Sequence, residues 1–203
     1  MITIVDYGVG NLFSLESSFA AIGQHARVSK DADEVFSADK IILPGVGAFE
    51  DAALKLQNTG LGEAVRAAAR KGTPLMGICL GMQLLFEKSY EYGEHTGLCL
   101  IGGSVKPLDG KIDPTLKIPQ IGWNALLFTR PSKLFRYIKN GDYVYFVHSY
   151  FADDCARDVI AQTEYGAMIT AAVEHENVCG CQFHPEKSGA VGLNILRAFC
   201  EEG

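Results

Sequence analysis

No apolar run in the 203-residue chain approaches the roughly 20 residues needed to cross a bilayer, so a transmembrane helix is not expected. Basic excess is also absent. Lys and Arg number 18 against 24 Asp and Glu, a net charge of −6, which leaves nothing to neutralise a phosphate backbone and argues against nucleic acid as partner. No basic stretch precedes the apolar residues of MITIVDYG, which read as a first strand and not a signal peptide; a cytoplasmic, membrane-free protein is the expectation. None of the six cysteines (79, 99, 155, 179, 181, 200) forms a CxxC pair, so zinc-ribbon and thioredoxin-like readings fail. Cys179 and Cys181 share one face of a strand; a disulfide or metal clip fits that spacing, but small core residues are the expectation. A complete G-x-G-x-x-G is missing too. Gly8-Val9-Gly10 is followed by Phe13 where the third glycine belongs, which favours a turn or partner contact over a dinucleotide loop. No cofactor and no metal is expected.

What remains is an ordinary globular composition, 48% hydrophobic and 21% charged, suited to a single domain over 1–203. In the first half, strand-like runs alternate with amphipathic stretches. Ile2 to Asp6 and Lys40 to Leu43 read as strands, and Thr73 to Ile78 as the next. Helical spacing follows the first two: Leu12, Leu15, Phe19 and Ile22 after a capping Asn11, then Phe49 to Gln57 and Leu61 to Arg70. That alternation predicts an α/β fold with a mostly parallel central sheet flanked by helices. From Leu98 to Val173 the pattern turns aromatic and β-branched, with turns at Asp109-Gly110 and Asn140-Gly141, as for additional antiparallel strands. Val191 to Cys200 closes the chain as a helix.

Three glycine-rich corners, GVGN, PGVG and GICLG, follow strands, where parallel sheets bind ligands. In the last, Cys79 has Gly77 two residues before and Gly81 two after. A reactive residue on a sharp strand-to-helix turn needs glycine at both positions, because side chains there would collide. The turn would set the sulfur at a helix N-terminus, which favours thiolate. The N–H of Leu80 would face an oxyanion, with a second donor from the PGVG corner. By spacing alone a close-packed structural corner remains equally open.

A base tilts the balance. Of five histidines, His184 sits in Gln-Phe-His-Pro-Glu at a strand end, where Glu186, two positions on, can reach its ring across Pro185 and fix its tautomer. His148, in YFVHSYF, has no acid within two positions; with Ser149 and Tyr150 it reads as a pocket wall offering polar groups to a substrate's amino or carboxylate end. His25, His95 and His175 are expected at the surface.

With Cys79, His184 and Glu186 in that order, the chain resembles the class I glutamine amidotransferase family, whose signature joins G-x-C-x-G-x-Q to a later Q-F-H-P-E. Here these are Gly77-Ile-Cys-Leu-Gly-Met-Gln83 and Gln182-Phe-His-Pro-Glu186. The resemblance implies a class I glutaminase-like fold and hydrolysis of L-glutamine to glutamate and ammonia through a thioester. It makes Cys79 the nucleophile, His184 the base and acid, and Glu186 the orienting carboxylate. Gln83 would bind substrate, and Gly45, Val46 and Gly47 with Leu80 would form the oxyanion hole.

DYGVGN (6–11), PGVGAF (44–49), GMQLLFE (81–87), PQIGWN (119–124), YFVHSY (145–150) and QFHPEKSG (182–189) resemble one branch of that family. Its members pass ammonia to a separate (β/α)₈ cyclase subunit, in a heterodimer, for imidazole glycerol phosphate formation in histidine biosynthesis. The resemblance places Asn11, Gln120, Trp123, Tyr145 and Lys187 near that interface, although the lone tryptophan also suits a core. A glutaminase feeding an anthranilate, aminodeoxychorismate or GMP-type synthetase is the alternative. A different cysteine hydrolase and a silent scaffold are weaker rivals.

Overall fold

A computed structural model describes residues 1–201; the last two residues of the expected domain, 202 and 203, lie outside them. The first half runs β1 (Ile2–Val5), α1 (Leu12–Ala21), β2 (Ala26–Ser29), α2 (Ala32–Phe36), β3 (Lys40–Leu43), α3 (Phe49–Asn58), α4 (Leu61–Arg70) and β4 (Leu75–Ile78). A short α5 (Leu80–Gln83) leads to β5 (Phe86–Ser89), β6 (His95–Thr96), β7 (Ile101–Pro107), β8 (Gln120–Ala125) and β9 (Leu127–Phe128). The remainder is β10 (Tyr143–His148), β11 (Tyr150–Asp153), β12 (Val159–Glu164), β13 (Met168–His175), β14 (Val178–Cys181) and α6 (Gly189–Cys200).

The main sheet has eight strands in the order β2-β1-β3-β4-β14-β13-β12-β9. The pairings from β2 through to β14 are parallel, and those from β14 onward antiparallel. This is the single-domain α/β architecture expected. Strand β3 shows why both faces are covered: Ile41 and Leu43 enter one core cluster with Leu56 and Val65 of the following helices. Ile42, pointing the other way, joins Leu15, Phe19, Ile195 and Phe199 of α1 and α6. Cys179 and Cys181 are buried in that second cluster, as core residues.

Two smaller sheets stand beside the main one: β10 with β8, and β11-β7-β5-β6. Because β10 and β11 belong to different sheets, His148-Ser149-Tyr150 is a corner between them. Three local outcomes depart from expectation. Strand β2 and helix α2 escaped notice because ARVS has no apolar run and α2 is five residues long, started by the Asp31 side chain accepting from Asp33 and Glu34. The helix-like run after Cys79 stops after one turn. There the carbonyls of Leu84, Leu85 and Phe86 take N–H groups from the 98–101 segment, so tertiary pairing overrides periodicity. Among the described residues no helix is long and apolar enough to cross a membrane, and no cluster of metal-ligating side chains occurs.

Candidate active site

Cys79 stands at the carboxyl end of β4 with φ 53° and ψ −112°, a conformation that non-glycine residues adopt only under constraint. The flanking glycines are needed, for two different reasons. A Cβ on Gly77 would come within 2.7 Å of the Gly81 carbonyl oxygen and the Met82 backbone, so α5 could not fold down onto the sheet. A Cβ on Gly81 would lie 1.8 Å from the Leu43 carbonyl oxygen, at the PGVG corner of β3. Gly45 closes the same contact from the other side, its hypothetical Cβ 2.7 Å from the Gly81 nitrogen. The elbow and the PGVG corner are thus backbone against backbone. Gly81→Ala is expected to destabilise the fold by about 1–3 kcal/mol through overpacking; a denaturation midpoint equal to wild type would contradict this packing. The helix behind the thiol is shorter than expected, four residues, so its dipole is that of one turn.

Strand β14 runs parallel to β4 with Cys181 opposite Ile78, and the Cys79 N–H donates to the Cys181 carbonyl at 2.8 Å. The chain leaving β14 therefore emerges beside the elbow, and three residues on it delivers His184. The contact with Glu186 is made not along an extended strand, as expected, but over a 3₁₀ turn, Pro185–Lys187. His184 Nδ1 lies 2.8 Å from Glu186 Oε1, with both side chains 3% exposed. The backbone is pinned as well: His184 N–H donates to Tyr145, and the Ser188 hydroxyl donates to the His184 carbonyl at 2.6 Å while accepting from the Tyr145 N–H.

The second ring nitrogen of His184, Nε2, is buried without a hydrogen-bond partner, as is Glu186 Oε2. Burial pulls the imidazole pKa down, but the adjoining Cys79 sulfur and the Glu186 carboxylate outweigh it and raise the pKa to about 9. The ordinary value is 6.5, so this contribution to stability is complete below about pH 6.5 and is lost as pH rises through about 9. A buried thiol, an imidazole that favours the protonated form beside it, and a carboxylate locking the far nitrogen can move a proton off sulfur and return it to a leaving group.

A cavity of about 340 Å³ opens over the thiol. Val46, Gly47, Leu80, Gln83, His148, Ser149 and Tyr150 line it with Cys79 and His184, as the sequence led one to expect. Gly45 and Glu186 do not; they stand behind, supporting the corner and the ring. Gln83 is committed to the protein: its nitrogen donates to the Tyr150 carbonyl at 3.0 Å and to Gln182 Oε1 at 2.9 Å, leaving only its oxygen uncommitted. His148 is no second base, because Nδ1 faces the Tyr150 carbonyl at 2.8 Å and Nε2 faces Gln120 Oε1 at 3.0 Å.

Four contributors were missed. Gln182 sits inside the second motif, and its nitrogen lies 3.7 Å from the sulfur. Pro119, in PQIGWN, lines the cavity. Glu91, on a loop with no periodic signal, also lines it and accepts the Phe49 N–H at 2.6 Å. Tyr7 is buried and donates to the Pro44 carbonyl at 2.6 Å, holding the PGVG corner; burial and the neighbouring Cys79 push its phenol far up. Nothing but a shared glycine turn, DYGVG before PGVG, hinted at that last contact.

Of the residues expected at an interface, Trp123 is 52% exposed, which corrects the option of a core tryptophan. Its ring meets Tyr145 edge-on at 6.0 Å, and the Lys187 ammonium sits 5.8 Å from the Tyr145 ring centre. Asn11 is exposed and caps α1, accepting from Ser14 N–H. Gln120 corrects the expectation: it is fully buried, because alternation along β8 turns it inward while Ile121 and Trp123 turn outward. Of the three remaining histidines only His25 is exposed. His95 is half-buried in a separate cavity of about 400 Å³ beside Glu50, and His175 pairs with Asp158 at 3.0 Å.

A family profile described as glutamine amidotransferase class-I matches residues 3–202. The imidazole glycerol phosphate synthase subunit HisH of Caldanaerobacter subterraneus subsp. tengcongensis is 48% identical over 202 residues, covering 99% of this chain and 98% of that one. The subunit of the same name from Sulfurimonas denitrificans is 49% identical over 201 residues, covering 98% and 97%. A solved glutamine amidotransferase superposes with a TM-score of 0.77 over 99% of this chain and 98% of that one; at 17% identity it speaks for the fold alone. The chain belongs to the class I glutamine amidotransferase family, with HisH subunits of imidazole glycerol phosphate synthase among its relatives.

Proposed function

We propose that the whole chain, 1–203, is one glutaminase domain, the cytoplasmic ammonia-supplying subunit of an imidazole glycerol phosphate synthase in histidine biosynthesis. The observation that carries this reading is the pairing of β14 with β4, which brings the His184–Glu186 pair beside the strained Cys79 over one cavity. Cys79 gives its proton to His184 Nε2 and attacks the side-chain amide carbon of L-glutamine. The Leu80 N–H, which as first residue of its helix has no intrahelical acceptor, and the Val46-Gly47 backbone stabilise the oxyanion. His184 returns the proton to the departing nitrogen, ammonia leaves, and water activated by the same ring hydrolyses the thioester to glutamate. Glu91 supplies the carboxylate for the substrate's ammonium, while Ser149 and Tyr150 form the polar wall beside it.

Ammonia goes to a (β/α)₈ cyclase docked over the mouth of the cavity. Support for that surface comes from Trp123, Tyr145 and Lys187 forming one aromatic and basic patch, continuous with the cavity through Lys187. Asn11 lies at the same carboxyl end of the sheet, after β1. Titrating the cyclase subunit into the chain tests the proposal: glutamine hydrolysis should be slow alone, rise to saturation near equimolar partner, and yield imidazole glycerol phosphate. Ammonia delivery to an anthranilate or GMP-type synthetase component, with none to the cyclase, would overturn it.

A further inference from the structure

Behind the cavity wall a chain of four hydrogen bonds starts and ends on a backbone carbonyl. The Tyr150 carbonyl faces His148 Nδ1 at 2.8 Å, and His148 Nε2 faces the Gln120 side chain at 3.0 Å. The Gln120 amide meets that of Asn124 at 3.0 Å, and Asn124 reaches the Glu164 carbonyl at 3.2 Å. Both ends can only accept. Each amide presents an oxygen to one side and a nitrogen to the other, and every link needs one donor and one acceptor.

These conditions leave one solution, whichever way the amides are turned. Asn124 must give its nitrogen to Glu164 and so its oxygen to Gln120. Gln120 must then give its nitrogen to Asn124 and its oxygen to His148. His148 must donate from both ring nitrogens, which only the imidazolium can do. A neutral ring leaves one link unmade. The His148–Gln120 link is buried and the Gln120–Asn124 link partly so, with Gln120 and His148 both closed off from solvent, whereas the Asn124–Glu164 link is exposed and the longest. There water can replace the lost partner, so this link is the one that opens, with both amides reversed.

We propose that Gln120 and Asn124 are positioning residues that hold the His148 imidazole against the pocket, and that the Asn124–Glu164 link opens or closes as the imidazole loses or gains its second proton. Burial, opposed by the Tyr150 contact and aided by His184, holds His148 down at about 4, which makes the open form the resting one at neutral pH. Titratable groups sharing its cavity are Cys79, His184, Glu91, Tyr150 and Lys187. The functional consequence rests on the glutaminase reading. When His184 takes the thiol proton, its charge disfavours a second proton on His148 and keeps Asn124 off β12. By reciprocity, anything that frees Asn124 on the partner-facing strand β8 favours neutral His148 at the pocket.

The test is a nitrogen-15 NMR titration of His148 in the full chain carrying Asn124→Ala or Asn124→Asp. Alanine removes the end that demands an imidazolium, so the His148 midpoint should fall by about one pH unit, the worth of one net hydrogen bond. Aspartate presents only acceptors to Gln120, so the midpoint should rise into a readily measured range. An alanine variant that titrates with wild type overturns the proposal even if aspartate shifts it, since charge alone would explain aspartate. Both shifts in a chain that hydrolyses no glutamine with its cyclase would support the relay and sink the glutaminase reading.

Discussion

Cys79→Ala abolishes glutamine hydrolysis, by about 10⁵-fold or more in kcat, while leaving the fold and partner binding in place. Among the described residues no other sulfur lines the cavity, so no second thiolate can take over the attack. Stability is spared because the sulfur makes only long contacts, 3.7 Å from the Gln182 nitrogen and 4.0 Å from the Val147 carbonyl. Alanine is also no worse than cysteine at φ 53°, so the strain of the elbow is unchanged. A steady-state assay with saturating cyclase, beside a denaturation curve, reads both halves of the expectation. The same variant has a spectroscopic consequence. With the thiol gone, the largest of the influences that raise His184 is lost, and its ring should titrate below about 9. A ring that still titrates there would mean that Glu186 alone sustains the shift.

His184 separates chemistry from folding less cleanly, and its two variants should differ. His184→Ala removes what is, among the described residues, the one hydrogen-bond partner of a buried carboxylate whose other oxygen already has none. Leaving such a charge unpaired costs about 3–5 kcal/mol, a large share of the stability of a domain. His184→Asn places an amide nitrogen where Nδ1 stood, keeps the bond to Glu186 and lacks a base. It should fold like wild type and lose about 10³-fold or more in kcat. Urea midpoints and turnover measured side by side check this: the alanine variant should fail on both, the asparagine variant on turnover alone. Appreciable turnover by a folded asparagine variant would remove His184 from the role of base, and His148 could not replace it, since both of its nitrogens are engaged.

The sequence reveals the parts of the site that local backbone rules dictate. Gly77 and Gly81 around Cys79 announce a strained corner because no side chain fits there, and His184 with Glu186 announces a ring and its support two residues apart. Strands β1, β3 and β4 are legible because burial on both faces writes itself as unbroken apolar runs. Contacts made across the fold leave no such trace. Glu91 comes from a loop, and Tyr7 reaches Pro44 between corners that are adjacent only because β1 pairs with β3. Gln120 was misplaced for a related reason: PQIGWN could be assigned to the partner face, but which residues of an alternating strand point inward depends on its pairing with β10. The early end of α5 is likewise set by a segment fifteen or so residues on, through hydrogen bonds that helical periodicity cannot register.

The central claim is a covalent one, that glutamine is opened by the Cys79 sulfur. Acid-quenching the cyclase-bound enzyme during turnover of glutamine, followed by peptide mass spectrometry, tests it most directly. A glutamyl group should be found as a thioester on the peptide bearing Cys79, in wild type and not in Cys79→Ala. Sustained ammonia release with that peptide unmodified, or with the glutamyl group on another residue, would contradict the account.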